Sequence, residues 1–498
     1  MRPLEYVLTL SLVFVYCWLT IPRLRQIQRL SYCLQLTLML ALMQWIGEGY
    51  RWQMIPAYLL SVWFTVVWIR SRTQHTAANR SAVRAIVASV LTLLAVGTSI
   101  ALPVLVPVFE LPKPTGPYNI GTITYQWTDS SRPELFSVNP DDHRQIVAQV
   151  WYPAAQNPSV SSAPYVQDAV TFAPALARLF GFPGFFFDHF KYVTSHAQSA
   201  AAIATDKPNY PVLIFLSGLN GYRQMNMFQV EDLVSHGYVV VGLDQPGTEA
   251  AVTLSDGSVI TGRSRAVSIP LVRQSADPQT PAPLLNGTEL PNGIIGYTAQ
   301  DISFAIDQLA NLNSTKSDSN LSGRLNLAQL GAFGISLGGM NVAQACHDDA
   351  RLKACLIMDV YMPAAIAKYG LKQPTMFMSR PATDMRLERE RAGGWSEADI
   401  ALTIDSMKAT YNKLQGNGYY LDIAGMFHLN FTDIPTWSPI TPILGLSGPI
   451  KAQHGFDIVN DYSRAFFDHE LQNQPSTLLT GQTKPYGEVM LQTRAPTP

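Results

Sequence analysis

Four long apolar segments, at about 4–21, 30–46, 55–69 and 85–108, fill the first 108 of 498 residues. Each is near the roughly 20 residues that cross a bilayer as a helix. A hydrocarbon core admits only structures that satisfy their backbone polar groups internally. The N-terminal part of the chain is therefore expected to be a multi-pass bundle of about four transmembrane helices. A cleavable leader fits poorly, because no small-residue cleavage site follows the first segment and three further apolar segments come after it. Composition agrees: charged residues make up only 14% of the chain, against about 25% in an average soluble domain.

The arginines set an orientation. Residues 1–84 carry nine Arg, no Lys and two Glu, a net +7 that leaves −8 for the remainder. Arg23, Arg25 and Arg29 lie between segments one and two, and Arg70, Arg72, Arg80 and Arg84 between three and four, whereas the intervening loop has only Arg51. The positive-inside bias puts the two Arg-rich loops in the cytoplasm, and the N-terminus and everything after Val108 outside. With no ionisable side chain in mid-segment, the helices read as an anchor in the cell membrane, not a transport path. No Lys/Arg stripe lies elsewhere, so no nucleic-acid partner is expected. Nothing in the sequence points to a protein partner.

Residues 109–116, FELPKPTG, have the prolines and glycine of a linker, and 117–498 form the second domain. Here the apolar runs shorten to 145–151, 212–216, 238–243, 330–333, 354–358 and 375–378. Continuous apolar runs of this length suit strands buried on both faces of a mainly parallel sheet. Helical patterns at 229–236, 298–312 and 339–348 alternate with them, giving an α/β doubly wound sheet. Cys17 and Cys33 lie in the apolar segments; Cys346 and Cys355 have no C-x-x-C spacing and are expected as buried free thiols.

Residues 331–340 read GAFGISLGGM, with Gly334, Ser336 and Gly338 in a G-x-S-x-G frame. A strand ending at Phe333 and a helix starting near Gly339 make this the strand–turn–helix of a nucleophile elbow, and the helix N-terminus favours negative charge developing at the serine. Such a hydroxyl needs a base and an acid, arriving in the order Ser, Asp, His in this fold. Of nine histidines, only His428, His454 and His469 follow both Ser336 and a plausible acid. His428 comes just after the strand-like YYLDIA, while His454 and His469 flank a C-terminal helical pattern and are expected to be solvated. For the acid, Asp359 follows the run at 354–358 and Asp384 follows the run at 375–378, and spacing leaves both open. No His/Asp/Glu cluster has ligand spacing, so neither metal nor organic cofactor is expected.

From about 116 to 433 the sequence resembles the platelet-activating-factor acetylhydrolase family of α/β-hydrolases, of the plasma lipoprotein-associated phospholipase A2 type and its bacterial relatives. The resemblance rests on TGPYNIGT, YPVLIFLSGLNGYR, LVSHGYVVVGLDQP, GAFGISLGGM, LIMDVYMP and FHLNFTDI. It implies an α/β-hydrolase fold and a calcium-independent esterase, with Ser336 as nucleophile, His428 as base and Asp359 as acid. The implied oxyanion donors are the backbone N–H groups of Leu219 and Leu337. Where relatives commonly carry histidines, this chain has Ser217, Gln245 and Ile335, none of them in the implied triad.

The expected function is hydrolysis of lipid-like or short-chain acyl esters by a membrane-anchored serine esterase. The alternatives are a carboxylesterase or polyester hydrolase on non-phospholipid esters, and a non-catalytic membrane binding protein that kept the fold. Three features stay open. The run at 180–192, FGFPGFFFDHFKY, suits an acyl pocket, a bilayer contact or core packing. The insertion at 252–297, opening with a possible hairpin at LSDGSVI, suits a lid or a surface excursion. The charged run HDDARLK at 347–353 reads as solvated, and the sequons at Asn286 and Asn313 matter only in a eukaryotic secretory host.

Overall fold

The computed structural model describes residues 1–73, 82–155, 161–314 and 319–496; Arg80, and Thr315 of the second sequon, lie outside them. Four helices, Pro3–Thr20, Cys33–Glu48, Ile55–Thr73 and Ala82–Leu105, pack on one another through Leu8, Leu12, Val15, Leu34, Met54 and Phe64. All four helical regions are long and apolar enough to cross a membrane. Arg51 ties three of their ends together. Its guanidinium forms a buried pair with Glu5 at 2.7 Å and donates to the carbonyl of Val106 at 3.0 Å, so the N-terminus, the second loop and the exit of the fourth helix share one side.

The rest is built on an 11-stranded sheet. In chain order its strands are β1 Asn119–Pro133, β2 His143–Ala154, β3 Ser162–Pro164, β4 Thr194–Ser199, β5 Tyr210–Leu216, β6 Val239–Asp244, β7 Leu325–Ile335, β8 Ala354–Met358, β9 Thr375–Ser379, β10 Gly418–Ile423 and β11 Val489–Arg494. The spatial order is β11-β10-β9-β8-β7-β5-β6-β2-β1-β4-β3. The six strands from β6 to β10 in this order pair in parallel, and β2 and β11 close the two sides antiparallel. Every residue of β5, β6, β8 and β9 is buried, as their uninterrupted apolar runs require of strands covered on both faces. One face packs on helices Met227–Ser235 and Ala452–Gln472, the other on Gln300–Asn313 and Leu337–Asp348. This is the expected α/β-hydrolase fold behind a helical N-terminal region.

Two expectations are corrected or resolved here. Cys346 and Cys355 are not free thiols but a disulfide with a Cα–Cα distance of 6.7 Å. The turn after Asp348 folds the end of its helix back on the first residues of β8, which brings the two buried sulfurs together. The phenylalanine run packs as core and as a junction. Phe187 and Phe190 are buried against Phe109 and Trp437, while Trp52, from the loop between the second and third helices, lies against Phe185 and Phe186 and donates to the Phe186 carbonyl at 3.0 Å.

Candidate active site

β7 and β8 are in a register that pairs Ile335 with Met358. The next residue of each strand, Ser336 and Asp359, therefore emerges beside the other past the carboxyl ends of the strands, where open α/β sheets form their crevice. The Ser336 N–H donates to the Met358 carbonyl at 3.0 Å, and the Asp359 N–H to that of Met378 at 2.8 Å. Both residues have positive φ, +55° and +44°, which is uncommon away from glycine. The turn at Ser336 is tight because strand and helix nearly touch: a Cβ at Gly334 would stand 2.5 Å from the carbonyl carbon of Gly338, and one at Gly338 would stand 2.1 Å from the oxygen of Leu216.

His428 opens the single turn His428–Phe431 after β10, and its Nδ1 lies 2.6 Å from Asp359 Oδ2. The same oxygen accepts from Arg380 Nε at 2.8 Å. Asp359 is fully buried. Burial alone would raise its pKa, but the Arg380 charge and the His428 hydrogen bond outweigh burial and hold it below the ordinary value. Asp384 is engaged elsewhere, accepting the Gly425 N–H at 2.8 Å, so the acid that meets His428 is Asp359. His454 and His469 lie on the helix Ala452–Gln472, partly exposed beside Glu488 and Glu470.

Leu219 and Leu337 line the same cleft as Ser336. Leu337 is the first residue of its helix, where an N–H has no intrahelical acceptor. Gly218 brings the loop after β5 against the serine, since a Cβ there would stand 3.0 Å from Ser336 Cβ. The three positions that depart from the family pattern are each accommodated. Ser217 donates to Glu249 at 2.9 Å; Gln245 donates to Asp301 at 2.8 Å and accepts from Asn341 at 2.9 Å; and Ile335 is buried in the core.

The cleft holds about 420 Å³. Part of its wall comes from the insertion. The expected hairpin forms as Ala251–Thr253 paired with Val259–Thr261, and the helix Arg265–Ala276 that follows turns Arg265, Ile269 and Val272 to the cleft. Gly393, Gly394 and Trp395 also line the cleft, and Arg273 of the insertion pairs with Asp399 at 2.7 Å. The insertion thus forms part of the cleft wall and is no detached surface excursion. Arg380, Glu388 and Trp395 were not singled out from the sequence; the only signal was a cation directly after a buried strand. Among the described residues, no group of three or more His, Cys, Asp or Glu is placed to hold a metal ion.

Comparison with known proteins shows the family. Residues 106–478 match the family described as platelet-activating factor acetylhydrolase, isoform II. A probable 1-alkyl-2-acetylglycerophosphocholine esterase of Arthroderma benhamiae is 22% identical over 410 residues, which cover 77% of this chain and 93% of that protein. A platelet-activating factor acetylhydrolase of Canis lupus familiaris is 22% identical over 298 residues, 57% of this chain and 62% of the relative. Among solved structures, a ferulic acid esterase from Streptomyces cinnamoneus superposes with a TM-score of 0.57 at 22% identity, over 77% of this chain and 99% of its own, a likeness of fold. The chain belongs to the platelet-activating factor acetylhydrolase, isoform II family and is a carboxylic-ester hydrolase.

Proposed function

We propose that this chain is a membrane-anchored serine esterase that hydrolyses lipid-like or short-chain acyl esters outside the cytoplasmic membrane, with phospholipase A2-like selectivity. The observation that carries the chemistry is the meeting, in one cleft, of Ser336 with the His428–Asp359 pair at 2.6 Å. His428 takes the proton from Ser336 as its Oγ attacks the ester carbonyl, and Asp359 holds the imidazole with Nδ1–H toward the carboxylate and Nε2 free. The N–H groups of Leu219 and Leu337 stabilise the oxyanion, each typically worth about 3 kcal/mol. His428 then protonates the leaving alcohol, and the acyl-enzyme is cleared by water activated at the same imidazole.

Residues 1–108 serve as the anchor, 109–116 as the linker and 117–498 as the catalytic domain. The names of the relatives support an acetylated ether phospholipid, or an ester like it, as substrate. So does the rim of the cleft. Residues 434–450, IPTWSPITPILGLSGPI, carry no charge. They pass beside the exit of the fourth helix, where Ser438 donates to the Leu105 carbonyl at 2.5 Å, and reach the cleft wall at Gly445 and Leu446, with Ile443 and Leu444 exposed between. That path suits an ester presented from a lipid surface.

Two measurements test the reading. An organophosphonate should label the protein covalently, and Ser336→Ala should remove the label and lower kcat on p-nitrophenyl esters by about 10⁴-fold or more. Equal turnover by both folded proteins would end it. A reporter fused after Val108 should be active only outside the cytoplasm; a cytoplasmic signal would reverse the orientation.

A further inference from the structure

The carboxylate facing His428 is held in an unusual way. A single oxygen, Asp359 Oδ2, takes both the imidazole Nδ1 and Arg380 Nε, while Oδ1 is buried without a hydrogen-bond partner among the described residues. Arg380 is itself wholly buried, at the end of β9, and a second arm of its guanidinium pairs with Glu388 from the helix Ala382–Ala392. Glu388 Oε2 in turn accepts the main-chain N–H of His428 at 3.2 Å. The contacts close a ring: Asp359 to the His428 side chain, the His428 backbone to Glu388, Glu388 to Arg380, and Arg380 back to Asp359. Trp395 packs against it, with the Arg380 guanidinium 4.8 Å from the centre of one of its rings and with Trp395 and His428 edge to face, ring centroids 5.2 Å apart. Trp395 holds φ +48° after two glycines that are also at positive φ.

We propose that Arg380 and Glu388 are positioning residues for the Asp359–His428 pair, Arg380 keeping the buried acid ionised and aimed, Glu388 fixing the backbone from which the base projects. The inference rests on the triad reading above. An isolated buried carboxylate takes up a proton more readily, and a cation within about 4–6 Å typically lowers a carboxyl pKa by 1–3 units. The other charged or titratable groups facing Asp359 are His428 after β10 and, farther off, Glu388 and the Tyr420 phenol of β10. Neither Glu388 nor Tyr420 can replace the cation. Arg is suited to the position because its rigid planar fork sends Nε to Asp359 and a second nitrogen to Glu388 from fixed directions.

The test uses the full-length protein in detergent. Organophosphonate labelling of the parent protein comes first: without it the triad reading fails, and this inference with it. With labelling intact, Arg380→Gln should lower kcat about 10- to 100-fold, leave KM within about twofold, and move the acidic limb of the pH profile of kcat/KM upward by about one to three units. Arg380→Lys should return that limb to its original place while recovering kcat only in part. Asp359→Asn/Arg380→Gln removes both buried charges together and so covers the case in which Arg380→Gln does not fold. It should be no slower than Asp359→Asn alone, because Arg380 acts through the carboxylate. A folded Arg380→Gln with parental kcat and an unmoved acidic limb would overturn the proposal, as would a double variant slower than Asp359→Asn by the full cost of an Arg380 change.

Discussion

Ser336 rests at φ +55° and ψ −128°, where a residue other than glycine is typically strained by about 1–3 kcal/mol, and the packed strand and helix on either side hold it there. Its place on a tight strand–turn–helix was legible because everything the elbow needs lies within ten residues. The partner of His428 was not legible from spacing, since Asp359 and Asp384 both follow buried strands; the fold brings Asp359 Oδ2 to 2.6 Å from the imidazole and turns Asp384 to the Gly425 N–H. The difference is measurable. Asp359→Asn should reduce kcat by about 10⁴-fold, the scale expected when the imidazole loses its orienting carboxylate. Asp384→Asn should keep kcat within about threefold and cost about 1 kcal/mol of stability, through its hydrogen bond to the Gly425 N–H. Arg380, Glu388 and Trp395 escaped the sequence reading because they come from a strand end, a helix and a loop, with no fixed spacing to mark them.

At the scale of elements, the buried parallel strands were readable as unbroken apolar runs, and their observed limits differ by only a few residues. β1 and β11 were missed. Much of β1 is partly exposed and rich in Thr, Ser, Gln and Asp, and β11 is an edge strand with alternating exposure. Neither needs a continuous apolar sequence to pair. The insertion is a case where chain pattern left two outcomes and packing chose one: Ile269 and Val272 face the cleft. Replacing either with Ser should leave turnover of acetyl esters within about threefold while lowering kcat/KM for long acyl chains about tenfold or more, the usual value of an apolar contact in a pocket. A chain-length profile of p-nitrophenyl esters from two to sixteen carbons checks this. An unchanged profile in both variants would remove the helix from the acyl path.

The whole molecule joins its helical and hydrolase parts through contacts that include one buried polar pair and one exposed hydrogen bond. Gln53 Nε2 meets His189 Nδ1 at 3.1 Å, and the Tyr192 hydroxyl donates to the Tyr50 carbonyl at 2.7 Å. Burial, reinforced by the nearby Arg51 charge, pushes His189 down to about 3. In the unfolded chain this imidazole takes up a proton near pH 6.5, so its contribution to stability is complete above that value and is lost as pH falls from 6.5 toward 3. Between pH 7 and 4.5 the loss should be about 2–3 kcal/mol, and His189→Gln should flatten that part of the melting profile; an identical slope in the variant would refute the assignment. The four apolar helices were plain in the sequence, whereas this junction was not, because its members are far apart in the chain and ordinary in type. The disulfide has a reach of the same kind. Cys346 sits near the end of the helix that begins behind Ser336, and Cys355 lies four residues before Asp359, so a covalent strap fastens the helix behind Ser336 to the strand that leads into Asp359. Such straps persist in oxidising compartments and are seldom kept in reducing ones. Reducing that strap would leave Ser336 and Asp359 on elements joined only by packing and main-chain hydrogen bonds.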